Sequence, residues 1–454
     1  MKQLLKETKG LFLLSKSIFI QLLLILLSSF GGSIVASIVV LGVIGWNLSK
    51  QRLGDALILF LVILLFSDSV MPMFENAGNA KELVAILMFL YILFKTKNPI
   101  QHSFINYFWA YLLVALIGLF LVNFEFIGLQ KLISYGLMII IVPAALTHIF
   151  NRPGGITFLR KWLFVFVSLY AISIIMSRIN PEGFAHFGRF NGIHRNPNGV
   201  GIFSALFIMN IALIKDKFPR LFSPRMYWIF IGIFLFTILL SASRSALMAL
   251  GVFMLFRTIR VKFFSGLVLT LAIASAYGVL TAWIETLIID FGLQSEFRLE
   301  TISYASGRIY VWDACWREIQ GNYWLGYGFT YAEYSHWDKK WYAEIPMLIH
   351  NYGNIHNSYL TIWLNTGLLG LIAFLSGVII LVYRSQHKSH TIAPLFFGAL
   401  VIGIFESYMV ASLNPYTWQL WFGFTIAALT PKKFIKKRKI PISNISLPPQ
   451  IQST

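Results

Sequence analysis

Residues 11–47 read LFLLSKSIFIQLLLILLSSFGGSIVASIVVLGVIGWN, with Lys16 as the only charge. A helix needs about 20 apolar residues to cross a bilayer, so this stretch holds two, broken at Gly31-Gly32. It follows Lys2, Lys6 and Lys9 as a secretion signal would. It then runs into further apolar segments with no convincing cleavage site, and so reads as membrane helix rather than signal. Comparable segments recur as far as Thr430, with one long interruption. Across 454 residues, 57% are hydrophobic and 12% charged, against about 25% charged in a soluble chain. A water-soluble fold is excluded. Lipid offers the backbone no hydrogen-bonding partners, which makes helices the economical solution. The expected fold is an all-α polytopic membrane protein with about twelve to fourteen transmembrane helices. A large, mostly helical extracytoplasmic loop should precede the third-last helix.

Lys and Arg are distributed unequally. The termini and the alternate connections at 50–52, 95–97, 152–161, 215–225, 257–262 and 384–388 hold 25 of the 37. By the positive-inside rule both termini are cytoplasmic, and the loop 290–356 is extracytoplasmic. Three regions follow: N-terminal membrane helices (1–181), a membrane region containing the loop (182–430), and a basic, disordered cytoplasmic tail (431–454). The net charge of +19 reflects this topology and attraction to acidic lipid head groups rather than nucleic acid. The single cysteine, Cys315, excludes an intramolecular disulfide and any multi-cysteine metal site.

The basic residues in the minority are the informative ones. Arg189 and Arg195 flank a loop leading to a helix whose N-cap is Asn196 or Asn198, a natural anion site. Arg244 sits among small residues, Ser241-Ala242-Ser243-Arg244-Ser245-Ala246, at the junction of two apolar helices, where a charge is expensive. Arg308 opens an amphipathic helix within the large loop. Guanidinium forks suit phosphate oxygens, and several that converge would bind a diphosphate. The plainer alternative makes Arg189 and Arg195 solvated, lets Arg244 snorkel, and pairs Arg308 with Asp313 or Glu318.

His356 lies where the large loop re-enters the membrane, and a histidine there can serve as a general base near neutral pH. A capping or interfacial role is the alternative. Asn357 could hold a hydroxyl or orient the ring. Gly367 and Gly370 would let another helix approach closely. Glu406, within the span 391–408 toward its outer end, has two candidate partners: an active-site arginine or a neighbouring helix. His336 with Asp338, and Glu344 with His350, lack a companion ligand, so no metal or other cofactor is expected. The loop aromatics Trp312, Trp316, Tyr323, Trp324, Tyr327, Tyr331, Trp337, Trp341 and Tyr342 could stack on sugars or form an interfacial belt.

His356-Asn357, followed by Gly367 and Gly370, resembles the signature of the O-antigen ligase and O-antigen polymerase family of bacterial envelope glycosyltransferases. Supporting segments occur in order: Arg189 with Asn196-Pro197-Asn198, then Ser243-Arg244, Gly307-Arg308 through Trp312, and Gly326-Tyr327-Gly328. The resemblance covers roughly 189–428; Met248, where some ligases have leucine, is a packing departure. It implies metal-independent, inverting transfer of an undecaprenyl-diphosphate-linked glycan to a glycan or lipid acceptor on the outer face of the bacterial inner membrane. On that scheme His356 is the general base, and Arg189, Arg244 and Arg308 hold the diphosphate, with Arg195 as a fourth member. The resemblance also allows a chain-length regulator as partner. Polymerase is favoured over ligase, because nothing in the loop points to a lipid A core acceptor. The competing classes are a transporter or flippase of lipid-linked oligosaccharide, which should show repeat symmetry and charges deep in several helices, and a non-catalytic scaffold.

Overall fold

A computed structural model describes residues 2–122, 125–186, 188–275, 286, 289–292, 308–334 and 354–429. The regular structure among them is helical apart from one antiparallel hairpin, β1 (Ala185–His186) with β2 (Arg189–Phe190). In chain order the helices are α1 (Lys2–Ser28), α2 (Gly32–Ser49), α3 (Leu53–Ser67), α4 (Pro72–Gly78), α5 (Lys81–Lys95), α6 (Ile105–Leu121), α7 (Phe126–Phe150), α8 (Gly155–Ile179) and α9 (Pro181–Phe184). After the hairpin come α10 (Pro197–Lys217), α11 (Pro224–Ser241), α12 (Arg244–Thr258), α13 (Phe263–Ser275), α14 (Arg308–Gly321), α15 (Tyr331–Tyr334), α16 (Ser358–Ser385), α17 (Ile392–Phe405) and α18 (Pro415–Ala428). The all-α polytopic expectation holds. α1 and α2 part at the glycine pair, where Gly32 takes φ +86°.

Among the described residues, seven stretches are long and apolar enough to cross a membrane: Leu4–Ser49, Pro72–Lys95, Phe126–Phe150, Gly155–Ile179, Pro197–Lys217, Pro224–Ser241 and Ser358–Ser385. Leu53–Ser67, Ile105–Leu121 and Ile392–Phe405 are apolar but shorter. Position explains the first of these. α3, with 15 residues, is about 22 Å long, less than the ~30 Å hydrocarbon core. It is apolar on every side, and Ala56 through Phe66 are at most 1% exposed. A helix enclosed by others need not reach from one lipid surface to the other. α10 and α18 are sealed in the same way. α1 and α2 instead turn Leu23, Ile34 and Ile38 outward, which suits lipid as the surrounding solvent.

Rings fill the centre. Trp162 of α8 stacks on Phe422 of α18 and on Phe207 of α10, each at 4.3 Å, and Phe207 stacks on Phe234 of α11 at 4.2 Å. Asn210 clamps α10 to α18 by donating to the Gln419 side chain (2.9 Å) and carbonyl (3.1 Å); such bonds contribute about 0.6–2 kcal/mol between membrane helices. At the basic end Asp216 takes a two-pronged bond from Arg257, at 2.7 and 3.1 Å. Lys217 donates to the carbonyls of Ile426, Ala427 and Leu429, closing the C-terminus of α18. Charge and helix dipole are complementary there.

The large loop locks onto the third-last helix through a break in that helix. Gly367 of α16 adopts φ 67°, ψ −179°, a conformation open essentially to glycine alone. Residues 323–328 dock into the gap. Tyr327 N–H donates to Leu364 O (2.9 Å) and Gly328 N–H to Asn365 O (3.0 Å), while Tyr323 O accepts from Leu368 N–H (2.9 Å). The groups freed by the break are thereby satisfied, as membrane burial requires. A side chain on Gly367 would collide with the Trp324 carbonyl. What approaches here is a loop backbone, not the helix expected from the glycine spacing. A side chain on Gly370 would meet Thr366 of its own helix.

Gly367→Ala should therefore lower the thermal stability of the detergent-solubilised protein by about 2 kcal/mol or more. Gly232→Ala on α11, where an added Cβ meets nothing within 4 Å, should be neutral or mildly stabilising. Equal melting temperatures for the two variants would contradict this account of the break.

Candidate functional site

Glu406 follows directly after α17, outside the helical span, with an extended backbone (φ −148°). Its side chain turns inward, leaving the residue 7% exposed. Hydrogen bonds stitch residues 406–409 to the start of α16. Asn357 N–H donates to Ser407 Oγ (3.0 Å), and the Ser358 hydroxyl donates to Glu406 O (2.6 Å). Ser358 Oγ in turn accepts from Tyr408 N–H (3.1 Å) and Met409 N–H (3.3 Å). This stitching places the carboxylate opposite His356.

Three groups converge on that carboxylate. Arg308 Nη2 donates to Oε1 at 2.7 Å, Asn198 Nδ2 donates to Oε1 at 3.0 Å, and His356 Nδ1 lies 3.0 Å from Oε2. Both alternatives open to Glu406 are realised at once: an arginine of the set expected to bind diphosphate, and a neighbouring helix, α10. Arg308 does not pair with Asp313 or Glu318. Asp313 is taken by Arg317 (2.6 Å), and Glu318 by the Tyr331 hydroxyl (3.0 Å). Burial pushes the Glu406 carboxyl up. Arg308 and His356, with the hydrogen bonds from His356 and Asn198, outweigh that and hold it below its ordinary value of 4.5.

The same contact sets the state of the histidine. In the neutral ring with Nδ1–H donating to the carboxylate, Nε2 is the nitrogen that can accept a proton, on a side chain 20% exposed. His356 itself has φ 51°, uncommon for a residue with a side chain, and its N–H donates to Asn354 Oδ1 (2.9 Å). Asn357 is the N-cap of α16; its Oδ1 accepts from Tyr359 N–H (2.9 Å) and Leu360 N–H (3.0 Å). That oxygen, offered by the sequence reading to a hydroxyl or to the ring, is spent on starting the helix, a contribution of about 1 kcal/mol.

Arg189 reaches the site from β2. Its Nε donates to Ser241 O (2.8 Å), and its Nη2 to Asn198 Oδ1 (2.9 Å) and Ala242 O (3.4 Å). Ala242 is left-handed (φ 46°, ψ 40°) and ends α11, so the guanidinium sits against freed carbonyls at a helix C-terminus. Two residues later half-buried Arg244 opens α12, so Arg189 and Arg244 share one corner. Arg195 stands on an exposed turn.

Asn198 is the residue whose importance the sequence concealed. Asn196 takes the cap, accepting from Gly199 N–H (2.9 Å), with Pro197 at the first helical position. Asn198 is thereby released to bridge Arg189 and Glu406. Among the described loop aromatics, Trp316 and Tyr323 pack against Trp363 of α16, and Tyr327 packs against Tyr331. Trp312 Nε1–H donates to Ile355 O (3.0 Å). Trp316 and Trp324 remain exposed. Trp337, Trp341 and Tyr342, and the pairs His336/Asp338 and Glu344/His350, lie outside the described residues.

Fold and site together define a polytopic helical membrane protein with a charged, hydrogen-bonded centre at the end of its bundle opposite the basic connections. Residues 229–375 match the family described as O-antigen ligase, the family recognised in the motifs. This segment contains Arg244, Arg308, His356 and Gly367; Arg189, Asn198 and Glu406 lie beyond it. The chain is 29% identical over 161 residues to a protein of Rickettsia felis named "Putative polysaccharide ligase", covering 33% of this chain and 37% of that one. A protein of the same description from Rickettsia conorii is 29% identical over 161 residues, covering 33% and 36%. The chain thus spans a little over a third of the length of these curated relatives.

Glu406→Ala leaves the Arg308 cation buried without its carboxylate and should cost about 3–5 kcal/mol. Glu406→Ala with Arg308→Ala should cost less than the two single changes summed, as read from thermal unfolding in detergent; strict additivity would deny the pair. For pH the sign follows from the lowered carboxyl. The stabilisation is fully present above pH 4.5, the ordinary value, and is lost as pH falls through the lower folded-state value. The melting temperature of the wild type should fall along that limb, and the fall should shrink in Glu406→Gln.

Proposed function

We propose that the protein is a membrane glycosyltransferase that moves a glycan from an undecaprenyl-diphosphate carrier to an acceptor hydroxyl on the outer face of the bacterial cytoplasmic membrane. The observation that carries this reading is the arrangement of His356 and Arg308 on the two oxygens of Glu406. A base and a cation suited to diphosphate are held by one buried carboxylate. His356 Nε2 takes the acceptor proton as the acceptor oxygen bonds to the anomeric carbon, and Glu406 stabilises the imidazolium. The bond from that carbon to the diphosphate oxygen breaks, and its electron pair leaves with the lipid diphosphate. Arg308, Arg189 and Arg244 stabilise the negative charge that grows there. Attack from the side opposite the leaving group inverts the anomeric centre, and the residues named here supply the base and the cations without a metal.

Both termini and the basic connections are then cytoplasmic, and the loop 290–356 is extracytoplasmic. A lipid-linked donor, a glycan or lipid acceptor and the surrounding lipids are the partners this chemistry needs. The names of the relatives favour a ligase that transfers one finished chain, whereas the loop sequence favours a polymerase. Product analysis separates them, a ladder of repeat units for a polymerase and a single capped acceptor for a ligase.

His356→Ala and Arg244→Ala should each reduce transfer by about a hundredfold or more in a purified assay with lipid-linked donor, while the protein stays folded in detergent. Normal turnover in either variant would remove the assignment. Donor consumption with release of lipid diphosphate should proceed in micelles, where transport is impossible; its absence there would favour a transporter.

A further inference from the structure

A second polar cluster lies at the same end of the bundle. His194 is 1% exposed, although it belongs to the connection between β2 and α10. Its Nδ1 lies 3.0 Å from Asp68 Oδ2 and 2.9 Å from the Tyr416 hydroxyl, and its Nε2 lies 2.5 Å from the Tyr170 hydroxyl. Tyr416 donates its hydroxyl to the same Asp68 oxygen. One hydrogen arrangement satisfies all four groups: Tyr416 O–H and His194 Nδ1–H donate to Asp68, and Tyr170 O–H donates to Nε2. The imidazole is walled by the rings of Tyr170, Phe203 and Tyr416. An apolar residue could fill this space, but hydrogen bonds on both ring nitrogens also fix where the loop stands.

That loop carries the site. His194 lies between Arg189 and Asn198, which bond to each other and, through Asn198, to Glu406. The turn is internally tied: His194 N–H donates to Asn191 O (3.0 Å), Asn191 Nδ2 donates to His194 O (2.9 Å), and Asn191 N–H donates to Phe184 O (3.0 Å). Arg189, Asn198 and the imidazole are therefore carried on one internally bonded segment. Asp68 comes from the end of α3 and Tyr170 from α8, helices of the N-terminal region outside the family match.

We propose that Asp68, Tyr170, His194 and Tyr416 are positioning residues that hold the Arg189–Asn198 loop in its diphosphate-binding register, which gives the N-terminal helices a direct part in the site. This rests on the transferase reading above for the role of Arg189.

The test is equilibrium binding of undecaprenyl diphosphate to the detergent-solubilised full chain. Tyr416→Phe, Tyr170→Phe and Asp68→Asn each remove one hydroxyl or one charge with little change of volume. Each should weaken binding about tenfold, and none should weaken it further in an Arg189→Ala background, because the cluster acts through that residue. A merely structural role would lower the fraction of folded protein and leave the dissociation constant of the remainder unchanged. Wild-type affinity in all three variants, or losses that add to that of Arg189→Ala, would overturn the proposal. His356→Ala separates the two readings. If that variant is inactive while the three cluster variants bind normally, the cluster proposal alone fails. If it transfers glycan normally, the transferase reading fails.

Discussion

A carboxylate sealed from water has to be balanced where it stands, and Glu406 is balanced by Arg308, His356 and Asn198 together. These partners come from α14, from the residue before the Asn357 cap of α16, and from α10. Removing water makes each of these interactions stronger and each omission more costly. One buried acid thereby fixes the relative positions of three elements that share no sequence neighbourhood. Asn198 extends its reach to Arg189, and Arg189 to the corner where α11 gives way to α12. The geometry of the whole charged centre descends from the placement of one oxygen pair.

That placement depends on joints which are themselves backbone solutions to burial. α16 starts on the Asn357 cap and breaks at Gly367, and both ends of its first segment are anchored, one by residues 406–409 and the other by residues 323–328. His356 is held just ahead of a short, doubly clamped piece of helix. A side chain held in this way loses little freedom when a substrate arrives, which is how a bound geometry close to the reactive one is maintained.

The membrane architecture was legible because lipid imposes composition: apolar runs, basic connections and a glycine break at residues 31–32 are direct consequences of the solvent. Arg189, Arg244, Arg308 and His356 could be singled out by type and motif, and the structure gathers Arg308, His356 and Arg189 around Glu406 and Asn198. What stayed hidden required pairing across long separations. Asn198 looked like a spare helix cap until Asn196 took that duty. Gly367 suggested a helix neighbour, because spacing cannot say that a loop will enter a broken turn. Asp68 is one acid at the end of a mostly apolar helix, and nothing near it in sequence announces His194 or Tyr416. Arg195 shares a motif with Arg189, yet its side chain faces outward from an exposed turn.

The break in α16 also bears on how the chain is assembled. Residues 323–328 leave the ribosome before the carbonyls of Leu364 and Asn365 and the amide of Leu368 that will receive them exist. The arm bearing Arg308 therefore has no berth until the third-last helix has entered the bilayer, and the carboxylate that holds Arg308 arrives later still, at the end of α17. The charged centre is consequently closed only once α16 and α17 have been made. Until then the earlier part of the chain can be inserted without a completed charged centre.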